Sequence, residues 1–334
     1  MDRTPQETDM PNQPVALNDG FGALLTDVSP DDLRNEAFQR EAYDLWARCG
    51  GLLVVRGAAL AELTAQALLD WSQVFGAVEQ ENQSGREAST IEGYPILRIG
   101  NIKDAAGKLR ASFAKVPALD SDADVRYNPD TRRPVWHTDS TFRKNPPIGS
   151  VFHCKQAPPQ GGETLFANTR GAYEAMDEAT KERLGRLEAV CSLAHHDKKI
   201  SLYSPTYPTL NTEQRAANPA RRVPLVLTHP VSGKPALYGL NSSTCAIVPK
   251  GEAVSDERMD VFDLQGIEDD SVQILRELLP FVTGPEFSVC WRWQIGDVVV
   301  WDNRSTIHAA TGFDSERHTR EMWRLTLLER AAAE

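Results

Sequence analysis

The stretch IGSVFHCKQAPPQGGETLFAN (148–168) reads as two β-strands joined by a turn. The runs IGSVFHC and ETLFAN are short, apolar and rich in aromatic or β-branched residues, and a Pro-Pro pair and a Gly-Gly pair sit between them where the chain must reverse. The same rhythm extends outward. PLVLTH (224–229), PALYGL (235–240), FSVCWRW (287–293), DVVVWDN (297–303) and MWRLTLLE (322–329) are further short strands between turn residues. Upstream, residues 36–48 and 61–75 have helical spacing, while Leu52–Val55 and Pro95–Ile102 read as strands. One helix near 170–184 and two within 255–281 interrupt the later strands. Many short strands with regular turns predict a mainly β protein with flanking helices, built on a double-stranded β-helix, or jelly-roll, core.

Residues 1–30 are rich in Pro, Asn, Asp and Gly and are expected to form a flexible tail, leaving 31–334 as one domain. Two polar stretches without periodicity, 103–134 and 197–222, are expected to be long loops that lid a site. The formal net charge of −11 excludes a generally basic surface, so neither nucleic acid nor an anionic membrane is an expected partner. Cys49, Cys154, Cys191, Cys245 and Cys290 are widely spaced and form no C-x-x-C pair, a pattern of reduced thiols. The polar start MDRTPQETDMPNQP has no signal-peptide core, and no run of about 18 apolar residues exists. These features point to a cytoplasmic protein.

The chemistry concentrates in two places. In VWHTDSTF, His137 and Asp139 stand two apart, so on an extended chain an imidazole and a carboxylate share a face. In WDNRSTIHAA, His308 follows the strand DVVVW and offers a third donor. Two nitrogens and one carboxylate holding one ion leave coordination positions open, the arrangement of non-haem Fe(II) oxygenases. Either motif alone is weak, since H-x-D recurs by chance and a lone histidine is more often a core residue.

The context on both sides carries more. WHTDSTFRKNPPIGSVFHCKQAPPQGGETLFAN, with its W-H-T-D, Pro-Pro and G-G-E-T, resembles the signature of the taurine dioxygenase and 2,4-dichlorophenoxyacetate dioxygenase family. So does GDVVVWDNRSTIHAATGF followed by two arginines four apart. The resemblance implies that His137, Asp139 and His308 hold Fe(II). It implies that Thr164 and Arg320 hold the distal carboxylate of 2-oxoglutarate, and that Arg324 lies near the substrate's anionic group or the cofactor's 1-carboxylate. A guanidinium fork suits a carboxylate on physical grounds as well. Arg320 is twelve residues past His308, where the family commonly has eleven, so Arg317 stays a competitor. The separation between His137 and His308 also exceeds the family's usual one.

The activity so implied is an Fe(II)- and 2-oxoglutarate-dependent dioxygenase. It would use O2 to hydroxylate a small anionic molecule, with release of succinate and CO2 and with C–S or C–O cleavage open. A sulfonate, an aryloxyalkanoate, a sulfate ester, or a free or carrier-tethered amino acid would each serve. Arg320 and Arg324, an even number apart, would share a face of the last strand, which favours an anion at Arg324. A homo-oligomer, dimer or tetramer, is expected from the same resemblance. Three other readings stand beside it: a non-catalytic metal-binding jelly roll, a zinc hydrolase on the same ligands, and a halogenase. The last would vacate the position that Asp139 fills.

Overall fold

A computed structural model describes residues 13–80, 90–102, 136–197, 209–240, 243–255 and 270–330. Its largest sheet is built around β14 (Val298–Asp302), whose five residues VVVWD are all buried. A continuous apolar run of this length suits a strand covered on both faces. β14 pairs antiparallel with β3 (Leu52–Val55) on one side and β6 (Gly149–Gln156) on the other. β6 pairs with β16 (Glu321–Leu328), which in turn pairs with β4 (Ala77–Val78) and β5 (Leu97–Gly100). On the other edge β3 runs parallel to β2 (Phe21–Leu25), and β2 makes a hairpin with β1 (Val15–Asn18).

A second sheet has β7 (Thr164–Asn168) between β13 (Ser288–Trp291) and β15 (Thr306–Ala310). The two sheets close on a core of Leu52, Val54, Cys154, Phe166, Trp291, Val299, Trp301 and Met322. Side chains alternate accordingly. Val298 and Val300 of β14 face away, into a cluster with Leu45 and Trp46 of α1 (Glu36–Arg48) and Leu68 and Trp71 of α2 (Ala65–Ser72). Ala167, Ile307 and Ala309 of the second sheet also face away. They meet α3 (Thr169–Glu174), α4 (Glu178–Gly185) and α6 (Asp270–Val282) in a third cluster. A third sheet, β12 (Thr244–Pro249), β8 (Leu187–Cys191) and β9 (Arg221–Pro224), and the pair β10 (Val226–Thr228) and β11 (Pro235–Leu237) add to that outer layer. The arrangement is the expected mainly β, two-sheet core flanked by helices, with sheets that do not close into a barrel.

Several boundaries differ from the sequence expectation. The segment expected as tail is structured from residue 15 onward, with Phe21, Ala23, Leu25 and Val28 buried. Its turn is Asp19-Gly20, with Gly20 at φ 65°, a Gly-bearing hairpin signal that the polar composition hid. Residues 1–12 and the 103–134 stretch lie outside the described residues. Within 197–222, residues 209–222 are not a plain loop. They hold α5 (Thr212–Ala217), which starts at an Asn211–Gln214 capping box, and then β9. The helix expected over 170–184 is two, because Asp177 caps a new start for α4. No helix among the described residues is long and apolar enough to cross a membrane.

Candidate metal centre and its surroundings

His137 reaches the site through its backbone. Its N–H donates to the His308 carbonyl at 2.9 Å, and the His308 N–H donates back at 2.9 Å. This reciprocal bridge continues the second sheet by one residue beyond β15 and sets the two rings 4.2 Å apart. Asp139 completes the group. Its Oδ1 lies 3.8 Å from His137 Nε2 and 3.7 Å from His308 Nε2, too far for hydrogen bonds. The three ligand atoms all lie within 4.8 Å of one another.

The strand carrying His308 is pinned at its start. Asp302 accepts from Arg304 Nη2 at 2.7 Å and from Arg304 Nε at 2.9 Å. His229 Nε2 lies 2.9 Å from the same carboxylate. His229 Nδ1 accepts the N–H groups of Val231 and Ser232, so the ring proton sits on Nε2 and is donated to Asp302. Asn303 braces the same turn by donating to the Pro147 carbonyl at 3.1 Å. Trp301 packs its ring 4.8 Å from that of His308, while Trp136 lies in the outer core. His229 is thus part of a buried network for which its sequence context gave no sign.

The electrostatics suit a cation. Burial pushes the Asp139 carboxyl up, but the Arg324 guanidinium, the two imidazoles and the Ser150 hydroxyl outweigh it and hold it well below the usual carboxylate range. Burial lowers His308 to about 3, helped by His137. At neutral pH the group therefore offers a carboxylate and an uncharged His308 ring, the forms that bind metal. These donors fit Fe(II).

Next to this group lies a second arrangement. Arg320 is 7% exposed, and its Nε donates to the Gly162 carbonyl at 3.1 Å, with Nη2 3.5 Å from Thr164 Oγ1. Gly162 has φ 71°, and a Cβ there would stand 3.3 Å from Arg320 Cδ. The Gly-Gly turn thus lets the guanidinium through. Among the described residues Arg320 has no carboxylate partner. Burial lowers its pKa to about 10, so it stays a cation at neutral pH. A buried cation without a counter-ion fits the free end of a bound dicarboxylate. Arg317, by contrast, has an 82% exposed side chain 3.6 Å from Asp314. Trp293, not singled out in the sequence, donates its Nε1–H to Thr164 Oγ1 at 3.0 Å. That leaves the threonine proton free to point elsewhere.

Arg324 sits on the inward face of β16 with Met322, while Leu325 and Leu327 face the helices. It is not free: its Nη2 contacts Asp139 Oδ2 at 3.1 Å. Its buried Nε has no hydrogen-bond partner among the described residues.

Comparison with known proteins agrees with this geometry. Residues 12–326 match the model of the family described as "Taurine catabolism dioxygenase TauD, TfdA family". The chain is 31% identical over 317 residues, 94% of each protein, to an (S)-phenoxypropionate/alpha-ketoglutarate-dioxygenase of Delftia acidovorans. It is 34% identical over 219 residues to an alkylsulfatase of Acinetobacter baylyi, covering 63% of this chain and 59% of that protein. Among solved structures, AAD-2 in complex with Mn(II) and N-oxalylglycine superposes with a TM-score of 0.68 at 22% identity, over 96% of this chain and 98% of that one.

Proposed function

Because this chain belongs to the TauD, TfdA family of taurine catabolism dioxygenases, we propose that its inward-facing cluster binds Fe(II) and 2-oxoglutarate and oxidises a small organic anion. The enzyme is an Fe(II)- and 2-oxoglutarate-dependent dioxygenase. In this reading His137, Asp139 and His308 hold the metal, and Arg320 with Thr164 holds the distal carboxylate of 2-oxoglutarate. When bound, the metal and 2-oxoglutarate supply the oxidation: O2 is consumed, succinate and CO2 leave, and one oxygen atom enters the substrate. The chain's own part is to orient both small molecules and to keep water from the reacting atoms. The observation that carries the reading is the buried, uncompensated Arg320 beside Thr164, on the same inner surface as the three-donor group.

Charge supports an anionic substrate. Fe(II), Arg320 and Arg324 bring four positive charges, while Asp139 and 2-oxoglutarate bring three negative ones. A monoanion at Arg324 would balance the site, and the unpartnered Nε is a donor ready for it. Relatives that are dioxygenases of phenoxypropionate, sulfate esters and 2,4-dichlorophenoxyacetate make aryloxyalkanoates and sulfate esters the first compounds to try, with sulfonates beside them. Collapse of the hydroxylated product would then break a C–O or C–S bond. We place the protein in the cytoplasm as a dimer or tetramer, which sedimentation of the purified chain tests. The functional test is a panel of these anions and their neutral analogues, scored by succinate release with Fe(II), ascorbate and 2-oxoglutarate. Release stimulated by at least one anion and not by its neutral analogue is expected. No stimulation by any anion, or equal turnover of the neutral analogue, contradicts the proposal.

A further inference from the structure

Asp139 uses its two carboxylate oxygens differently. Oδ1 faces the imidazoles, 3.8 Å and 3.7 Å from their Nε2 atoms. Oδ2 faces the other way, where it accepts one hydrogen bond, from Ser150 Oγ at 3.1 Å, and forms an ion pair with Arg324 Nη2, 3.1 Å away. A carboxylate turns about its Cβ–Cγ bond and can present either oxygen, or both, to a cation. A hydroxyl donor and a guanidinium cation on one oxygen remove that choice. We infer that Ser150 and Arg324 clamp Asp139 as a one-oxygen metal ligand, with Ser150 the fixed half of the clamp and Arg324 the releasable half. The inference rests on the proposal that Asp139 is a ligand.

The two partners differ in freedom. Ser150 is fully buried, and its backbone is locked in the middle of the large sheet, opposite Trp301 of β14 and Thr326 of β16. It lies on the inward face of β6 with Cys154, while Val151 faces the helices. Its hydroxyl has a short side chain and nowhere else to carry it. Arg324 reaches Asp139 on a long side chain that is 20% exposed, and its Nε is still to be satisfied. An anion arriving beside β16 would compete with Asp139 for this guanidinium. Ser150 then becomes the donor that keeps Oδ1 toward the metal. Ser150 is accordingly a positioning residue, acting through Asp139.

The test compares Ser150→Thr with Ser150→Val, two side chains of one shape that differ in the hydroxyl. Each metal-free full-length variant is titrated with Mn(II), and the free ion is followed by electron paramagnetic resonance. Loss of a hydrogen bond to a ligating carboxylate typically weakens metal binding by about 10- to 100-fold. The Val variant should therefore bind Mn(II) about tenfold more weakly than the Thr variant. With Arg324→Met added to both, the gap should widen further, because the hydroxyl is then the sole donor. The lost arginine charge affects both members of the pair alike. Equal affinities in the first pair overturn the role of Ser150, and an unwidened gap in the second overturns the clamp shared by the hydroxyl and the guanidinium. If neither variant folds, wild type against Ser150→Ala gives the same comparison. If Asp139→Ala binds Mn(II) as tightly as wild type, the metal-centre reading fails, and this inference with it.

Discussion

Replacing Arg320 with Met should separate a cofactor ligand from a structural arginine. Burial lowers this guanidinium from 12.5 to about 10, which corresponds to about 3 kcal/mol of unfavourable burial at ~1.4 kcal/mol per pH unit. That cost is present throughout the neutral range and is relieved only as pH rises through about 10. Met removes the cost but also removes the bonds to Gly162 and Thr164, worth roughly 1.5–3 kcal/mol for a charged donor. The two nearly cancel, so the melting temperature of the metal-free protein should move by only a few degrees. Binding of 2-oxoglutarate should behave very differently. Leaving a buried carboxylate without its guanidinium costs roughly 3–5 kcal/mol, or about two to four orders of magnitude in affinity. Calorimetric titration of the Mn(II)-loaded protein with 2-oxoglutarate measures the second quantity and thermal denaturation the first. Unchanged 2-oxoglutarate affinity, or a large loss on Arg317→Ala instead, would refute the assignment. Collapse of the metal-free fold would show that Arg320 is structural.

Thr164→Val should raise the KM for 2-oxoglutarate by about tenfold or less, one neutral hydrogen bond being worth about 1 kcal/mol; an effect as large as that of Arg320→Met would mean that the valine displaces the arginine. Arg324→Met should raise the KM of the anionic substrate while 2-oxoglutarate affinity changes by less than about threefold, and the opposite split would assign Arg324 to the cofactor's 1-carboxylate. His153 supplies a pH test away from the metal. Burial, with Lys155 assisting, lowers it from 6.5 to about 4, so the folded state prefers the neutral ring. Its contribution is complete above pH 6.5 and is lost as pH falls toward 4. Urea denaturation between pH 7 and 4.5 should show about 2–3 kcal/mol less pH-dependent loss in His153→Phe than in wild type, and parallel pH profiles would remove His153 as the cause.

What was legible in the sequence was what local pattern encodes. DVVVW announces a strand buried on both faces, and β14 is one. H-x-D places His137 and Asp139 for one cation because the pair is local. The third donor was legible only through its context after that strand. Its actual mooring, the reciprocal backbone bridge between His137 and His308, spans about half the chain and has no local signal. The choice between Arg317 and Arg320 could not be made by counting, because one added residue in TGFDSERH shifts the count. Packing separates the two: Asp314 gathers the N–H groups of Glu316 and Arg317 into an exposed turn, and Asn101 Oδ1 takes the Arg320 N–H at 2.8 Å. Ser150 was invisible for a related reason. A serine in a strand is unremarkable until the facing residue is known to be Asp139. The hairpin at β1 and β2 was hidden by the polar residues around it, although FGALL (21–25) is a short apolar run of the kind that forms a buried strand.

The most direct measurement is the fate of labelled oxygen. The Fe(II)-loaded enzyme is supplied with 2-oxoglutarate, ¹⁸O2 and the best anion of the panel, and succinate and the oxidised product are analysed by mass spectrometry. One labelled atom in succinate, one succinate formed per substrate oxidised, and loss of both in His308→Ala are the predicted results. Product formed without O2 or 2-oxoglutarate, with its new oxygen drawn from water, would make this a metal-dependent hydrolase and contradict the account.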